Sequence, residues 1–298
     1  MSSEEMKLSS AQRKLLRLAG TCLALAGMTY VGLRINEFWS GLSSLYLSSL
    51  NWSVIIGLIM FYGGANVFLA LAWWSLLRHH DLSPPLSLST KVFGISQLAK
   101  YIPGNIAHFA GRQVLAMSHN MAGGPVAKSL IWELALLAVA AAQFVWIVVA
   151  TVTPSMPYYA GIACFCASVM VTSYLCQRLL SRHIRWSFIY EVLFFIASAF
   201  VFASLAIMVL QSNDLTIKQL FSMGGAFIVA WLVGFVTPGA PAGIGVREAV
   251  LLHLLMELVP ETQLLLILLL SRLTSVLGDL LFFLISLITP TTSPIVAE

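Results

Sequence analysis

The chain has 298 residues, of which 59% are hydrophobic and 9% charged, with a formal net charge of +4. Its mean hydropathy of +0.91 lies far from that of a soluble domain, which excludes a soluble catalytic module. With about 20 apolar residues needed per crossing, the chain is used up by about seven or eight crossings of a bilayer.

At the N-terminus, Lys7, Arg13, Lys14 and Arg17 precede an apolar run from Leu18 to Leu33. That is the pattern of a signal sequence, read here as an uncleaved signal-anchor span because the apolar run continues past Ala24-Leu25-Ala26. The loop 35–51, with Trp39 and nearby Trp52, reads as interfacial. Further spans are predicted over Val54–Leu77, Leu130–Val152, Tyr158–Leu175, Phe188–Leu210 and Leu264–Ile288, by length and scarcity of charge. Cys22, Cys164, Cys166 and Cys176 lie in apolar surroundings with neither disulfide nor zinc spacing, and read as small packing residues.

Two apolar segments, 91–117 and 219–256, are too rich in Gly, Pro and charge for one clean span. Each carries the same element. Tyr101-Ile102-Pro103-Gly104 is followed by Arg112, and Val236-Thr237-Pro238-Gly239 by Arg247; both are Pro-Gly-x7-Arg, 135 residues apart. Both read as re-entrant hairpins or paired half-helices, tolerated where protein or a wet cavity covers the open backbone. The expected architecture is an all-α polytopic membrane protein with about six full spans and two broken-helix hairpins in an inverted repeat. The whole chain forms one transmembrane domain: signal anchor and interfacial loop over 1–50, repeat 1 over 51–155 and repeat 2 over 156–290.

Basic residues near span ends favour the cytoplasm. Lys7, Arg13, Lys14, Arg17, Arg78, Lys91, Lys128, Arg178, Arg182 and Arg185 share one side if the N-terminus is cytoplasmic, with Arg34 and Lys218 opposite. The net charge therefore reflects topology, and no nucleic-acid partner is inferred from it.

The charges that no loop accommodates are Lys100, Arg112, Glu133, Glu191, Arg247, Glu248, Arg272 and Asp279. An intramembrane ionisable residue is a functional candidate by default. Arg112 and Arg247 have two readings: a planar fork for phosphate or carboxylate, or a structural cap or partner of a carboxylate such as Glu248. The turn Pro238-Gly239-Ala240-Pro241-Ala242-Gly243-Ile244-Gly245 offers backbone N–H groups to an anion ahead of a helix start. Asn105 could bond a headgroup, and His108 reads as structural. Lys100 either snorkels or faces the cavity. Glu133, Arg272 and Asp279 suggest an internal charge network, the last two sharing one helix face with Ser275 between them. Glu191, close after the Arg182–Arg185 cluster, reads as interfacial. No catalytic residue, metal site or cofactor is expected.

The segments Gln97-Leu98-Ala99-Lys100-Tyr101-Ile102-Pro103-Gly104 through Arg112, Glu133 in the next helix, and Pro238 through Glu248 resemble the flippase-like transmembrane domain of lysylphosphatidylglycerol synthases and its standalone relatives. The likeness spans about residues 50–290. It implies translocation of an anionic, aminoacylated, glycosylated or polyprenyl-phosphate lipid across a bacterial or archaeal inner membrane. Ala240-Pro241 stands where the family pattern is richer in glycine, and the 298 residues include no aminoacyl-transferase domain, so translocation without lipid synthesis is expected. Membrane lipids, and glycosyltransferases or other envelope-biosynthesis enzymes, are the expected partners. Two other classes compete: an intramembrane lipid-linked transferase using Glu133, Glu248 or Asp279 as base, and an ion or small-solute transporter.

Overall fold

The computed structural model describes residues 51–101, 107–153, 155–211, 215–237, 245–256 and 258–290. The signal anchor with most of its following loop, and Pro103, Gly104, Asn105, Pro238, Gly239 and Gly243, lie outside the described residues. The rest is helical, with no strand among the described residues. In chain order the helices are α1 Trp52–His79, α2 Leu86–Gln97, α3 Ala107–Ser118, α4 Gly123–Ala142, α5 Val145–Val152, α6 Tyr158–Leu175, α7 Arg182–Leu210, α8 Ile217–Val236, α9 Val246–Leu255 and α10 Glu261–Ile288. A 3₁₀ turn, Leu98–Tyr101, continues α2, and a π turn, Cys176–Leu180, continues α6.

Among the described residues six helical segments are long and apolar enough to cross a membrane: 52–79, 123–152, 158–180, 182–210, 217–236 and 261–288. The chain is an all-α polytopic membrane protein. Its outward surface is apolar, as a lipid-facing surface must be: Ile56, Ile131, Met170 and Leu179 are all more than half exposed.

Local chemistry sets the helix ends. Proline stands at the N-cap of α2 (Pro85), α6 (Pro157) and α10 (Pro260), where a missing N–H is harmless. Ser181 caps α7 by accepting the Ile184 N–H at 3.2 Å. Thr216 and Gln219 form a capping box on α8, the Thr216 N–H donating to Gln219 Oε1 at 2.9 Å and the Gln219 N–H to Thr216 Oγ1 at 3.3 Å.

The two broken segments differ in build. In the first, α2 and α3 have 12 residues each, about 18 Å of helix, short of the hydrocarbon core of about 30 Å. In the second, α8 has 20 residues and ends just before Pro238, whereas α9 has 10. The first arm of segment 219–256 is therefore itself long enough to cross, where the sequence suggests a re-entrant hairpin or paired half-helices. The reason is the uninterrupted apolar run behind a complete capping box, with the breakers displaced to its far end.

Packing centres on α1 and α7, which lie side by side, with α10 against α1, α2 against α10, and α4 and α8 against α7. Trp73, fully buried on α1, donates its indole N–H to Ser129 Oγ of α4 at 3.1 Å. Small residues let backbones meet. A Cβ at Gly278 on α10 would stand 2.8 Å from the Tyr62 ring of α1, and one at Gly94 on α2 would stand 1.9 Å from Ser286 Oγ. Links between helix ends set directions. The Ser181 hydroxyl meets His79 Nδ1 at 2.9 Å, joining the end of α1 to the start of α7. Lys91 Nζ donates to the Thr289 carbonyl at 3.1 Å, joining the start of α2 to the end of α10.

Candidate functional site

Arg112 ends in an almost fully buried setting. It lies on α3, is 1% exposed, and pairs through Nη1 with Glu133 Oε2 of α4 at 2.5 Å. Its Nε–H donates to Ser96 Oγ of α2 at 3.2 Å. The rings of Phe93, Trp73 and Phe109 surround the guanidinium, their centroids 4.0, 5.3 and 5.7 Å from Cζ. Each ring adds a cation–π attraction that strengthens without water. Breaking such a buried pair from one side leaves a bare charge and costs about 3–5 kcal/mol.

At the end of the 3₁₀ turn, Lys100 faces inward. Its Nζ lies 2.7 Å from Asp279 Oδ2 of α10, a carboxylate with no exposed side-chain surface. The Tyr101 hydroxyl donates to the same oxygen, so two consecutive residues of the first broken segment are fastened to α10. Asp279 Oδ1 is buried with no hydrogen-bond partner.

Arg247 is placed differently. It is the second residue of α9 and is half-buried. Among the described residues it has no ion pair. Its Nε is buried without a hydrogen-bond partner, and Cζ stands 5.5 Å from the Trp231 ring centroid of α8. The adjacent Glu248 is committed elsewhere. Its Oε2 accepts the Gly245 N–H at 2.7 Å, capping α9, and its Oε1 pairs with Arg272 Nη2 of α10. Gly245 has φ 85°, a left-handed conformation that a side chain would strain.

These groups share one cavity of about 700 Å³. Lys100, Arg112, Glu133, Arg247, Glu248 and Arg272 line it, and Asp279 stands behind Lys100. Both broken segments thus reach the same space. Most of the wall is apolar: Phe194, Phe195 and Phe202 of α7, and Phe227, Trp231 and Phe235 of α8. Ile131, on the wall, is 67% exposed at the outer surface of α4. The cavity is therefore open beside Ile131. Among the described residues four cations stand against three carboxylates, each carboxylate paired with one cation, which leaves Arg247 as the surplus.

Compared with models of protein families, with curated proteins and with solved structures, the chain matches none.

The structure brings together most of the described candidates, in pairings that differ from the simplest reading of the sequence. Arg272 and Asp279 share α10 but serve different partners, Glu248 and Lys100. Glu191 is fully buried on α7, nine positions and about 13 Å along the helix from Arg182. His108 lines the cavity, with its Nδ1 buried and without a partner. Tyr101, Ser96, Trp73, Phe93 and Trp231 were missed as site residues. The one signal for them was adjacency, since Tyr101 follows Lys100 and Ser96 and Phe93 precede the break at helical spacing.

Proposed function

We propose that this chain is a lipid translocase, a flippase or scramblase that moves an anionic, aminoacylated or glycosylated/polyprenyl-phosphate lipid across the inner membrane, as the resemblance to the flippase-like family implies. The observation that carries the reading is the cavity's charge balance. Among the described residues one guanidinium, that of Arg247, has no ion pair, in a largely apolar chamber whose wall includes the strongly exposed Ile131. A phosphate supplies the missing charge and fills the fork of Arg247, while acyl or prenyl chains leave past Ile131 into the bilayer.

The two broken segments are inverted hairpins in this reading. Chain order sends α2 and α3 in from the end of α1 and back to the start of α4, and sends α8 and α9 in from the opposite end of α7. Helix ends carrying Arg78, Lys128, Arg178 and Arg182 then share one side, and the charge bias favours a cytoplasmic N-terminus. Pseudo-symmetric halves around a midplane site are the basis of alternating access. The transferase reading is weaker because Glu133, Glu248 and Asp279 stand on three different helices, each paired with its own cation, and do not converge as a catalytic cluster.

Reconstitution into liposomes with fluorescent phosphatidylglycerol and polyprenyl-phosphate probes tests this through dithionite-accessible signal. Translocation by the wild type, reduced at least tenfold in Arg247→Ala, is expected. If a folded protein moves no lipid probe but takes up inorganic phosphate, the solute-transporter reading replaces this one.

A further inference from the structure

Where α6 ends and α7 begins, three arginines stand close in sequence: Arg178, Arg182 and Arg185. No acidic residue lies between Glu133 and Glu191 in the sequence, and among the described residues none of the three arginines is in an ion pair. Arg178 and Arg182 are exposed, as charges at the end of a span ordinarily are. Arg185 is different. It is half-buried, and its Nε is buried without a hydrogen-bond partner, an arrangement that costs free energy until an acceptor supplies the missing bond. Two neighbours hold its guanidinium: Nη1 donates to Gln177 Oε1 in the π turn, and Cζ stands 5.7 Å from the Trp186 ring centroid. Arg185 and Gln177 line a second pocket, of about 180 Å³, with Met170, Ser173 and Tyr174 of α6. This pocket shares no lining residue with the larger cavity. Met170 and Tyr174 are both more than half exposed, and Met170 lies about two helical turns further into the span than Gln177. Tyr174 and Trp186 are exposed aromatic residues of the kind that sits at a membrane–water interface.

We propose that this pocket is a binding site for one anionic phospholipid, whose phosphodiester takes the open Nε of Arg185 while its acyl chains lie along α6 past Tyr174 and Met170. A guanidinium fork suits two phosphate oxygens better than a point charge does, and Arg178 and Arg182 add attraction for an anionic headgroup. The exposed apolar side chains that lead from the pocket into the span select a lipid over free phosphate as the source of that group. Among the six described spanning segments 158–180 is the least buried, and a lipid seated between its π turn and α7 fastens it to the bundle. The site is separate from Arg247, so it neither requires nor supplies the translocase reading.

Photolabelling of the full chain in phosphatidylcholine nanodiscs tests the site, with a trace of phosphatidylglycerol carrying a diazirine at the top of one acyl chain. Mass spectrometry of the peptides that cover 165–190 counts lipid at this pocket separately from lipid in the larger cavity. The wild type should be labelled there, Arg185→Gln about tenfold less, and Arg185→Lys to an intermediate degree, since it keeps the charge and loses the fork. Excess unlabelled phosphatidylglycerol should displace the probe, and millimolar inorganic phosphate should not. Labelling unchanged in a folded Arg185→Gln protein overturns the site, and so does equal labelling of the wild type by a phosphatidylcholine probe of the same build. Displacement by inorganic phosphate overturns the assignment to a lipid. Labelling of 165–190 as expected, in a protein that moves no lipid probe, supports this site and overturns the translocase reading alone.

Discussion

Arg112 and Arg247 stand at equivalent places in two copies of one short motif, yet the bundle treats them in opposite ways. Arg112 is 1% exposed, ion-paired to Glu133 and ringed by Phe93, Trp73 and Phe109. Among the described residues Arg247 has one cation–π ring contact, no ion pair and a buried Nε without a hydrogen-bond partner. The difference arises from what each broken segment packs against. The short arm α3 lies against α4, which supplies Glu133, whereas the carboxylate nearest Arg247 in sequence, Glu248, turns to cap Gly245 and to hold Arg272. A repeated motif places two like charges; their neighbours decide which is structural and which is open to a ligand.

The contrast is broken most severely at the buried pair. Glu133→Ala leaves Arg112 charged and alone, with an expected loss of about 3–5 kcal/mol of stability. Thermal unfolding followed by size exclusion should show it, and the double variant Arg112→Met with Glu133→Leu should recover much of the loss. A stable Glu133→Ala protein would mean that Arg112 is not held as described.

Arg247→Ala should behave in the opposite manner. Stability should stay within about 1 kcal/mol of wild type, as for substitutions that remove no buried pair, while the affinity for short-chain phosphatidylglycerol falls about 10- to 100-fold, equivalent to a charged hydrogen bond of about 1.5–3 kcal/mol. Titration calorimetry in detergent checks both halves of this statement. Equal losses of affinity in Arg247→Ala and in the stable Arg112/Glu133 double variant would erase the distinction.

Glu248→Gln sharpens it. Glutamine can still accept the Gly245 N–H, but Arg272 loses its counter-charge and the surplus rises from one cation to two. Competition binding should shift in favour of a phosphomonoester over a phosphodiester by about fivefold, the scale of a partly exposed ion pair near 1 kcal/mol. The smallest effect is expected at the aromatic neighbours. Trp231→Leu should weaken anion binding about two- to fivefold, matching a cation–π contribution of about 0.5–1 kcal/mol, whereas Phe93→Leu should lower the unfolding temperature and leave affinity alone.

The helical membrane class was legible because crossing a bilayer imposes a local condition, a long apolar run without charge, that can be read one segment at a time. The spans at 54–77, 158–175, 188–210 and 264–288 each fall within one helix of the structure, and 130–152 runs over α4 and α5. The length of α8 was harder to read. Its Gly224-Gly225 pair and the downstream Pro238 suggest a break, but Gly225 faces the Ile147 side chain of α5, where a Cβ would come within 2.8 Å. Those glycines serve helix contact and interrupt nothing. The ionisable residues were legible as a set, because any charge inside an apolar chain stands out. Their partners were not: Arg112 with Glu133 is separated by 21 residues, Arg272 with Glu248 by 24, and Tyr101 with Asp279 by 178.

The sequence by itself determined that this is a helical membrane protein, where its apolar helices run, and which few charges its interior must accommodate. These follow from the free energy of placing each residue in hydrocarbon, which depends on that residue and its near neighbours. Only the tertiary structure decided that three carboxylates are taken by three cations and that Arg247 is left over, with Glu191 buried beyond the cavity. Electrostatic pairing depends on distance and on the exclusion of water. Both are set by how α1, α7 and α10 pack together, at sequence separations that no local pattern records.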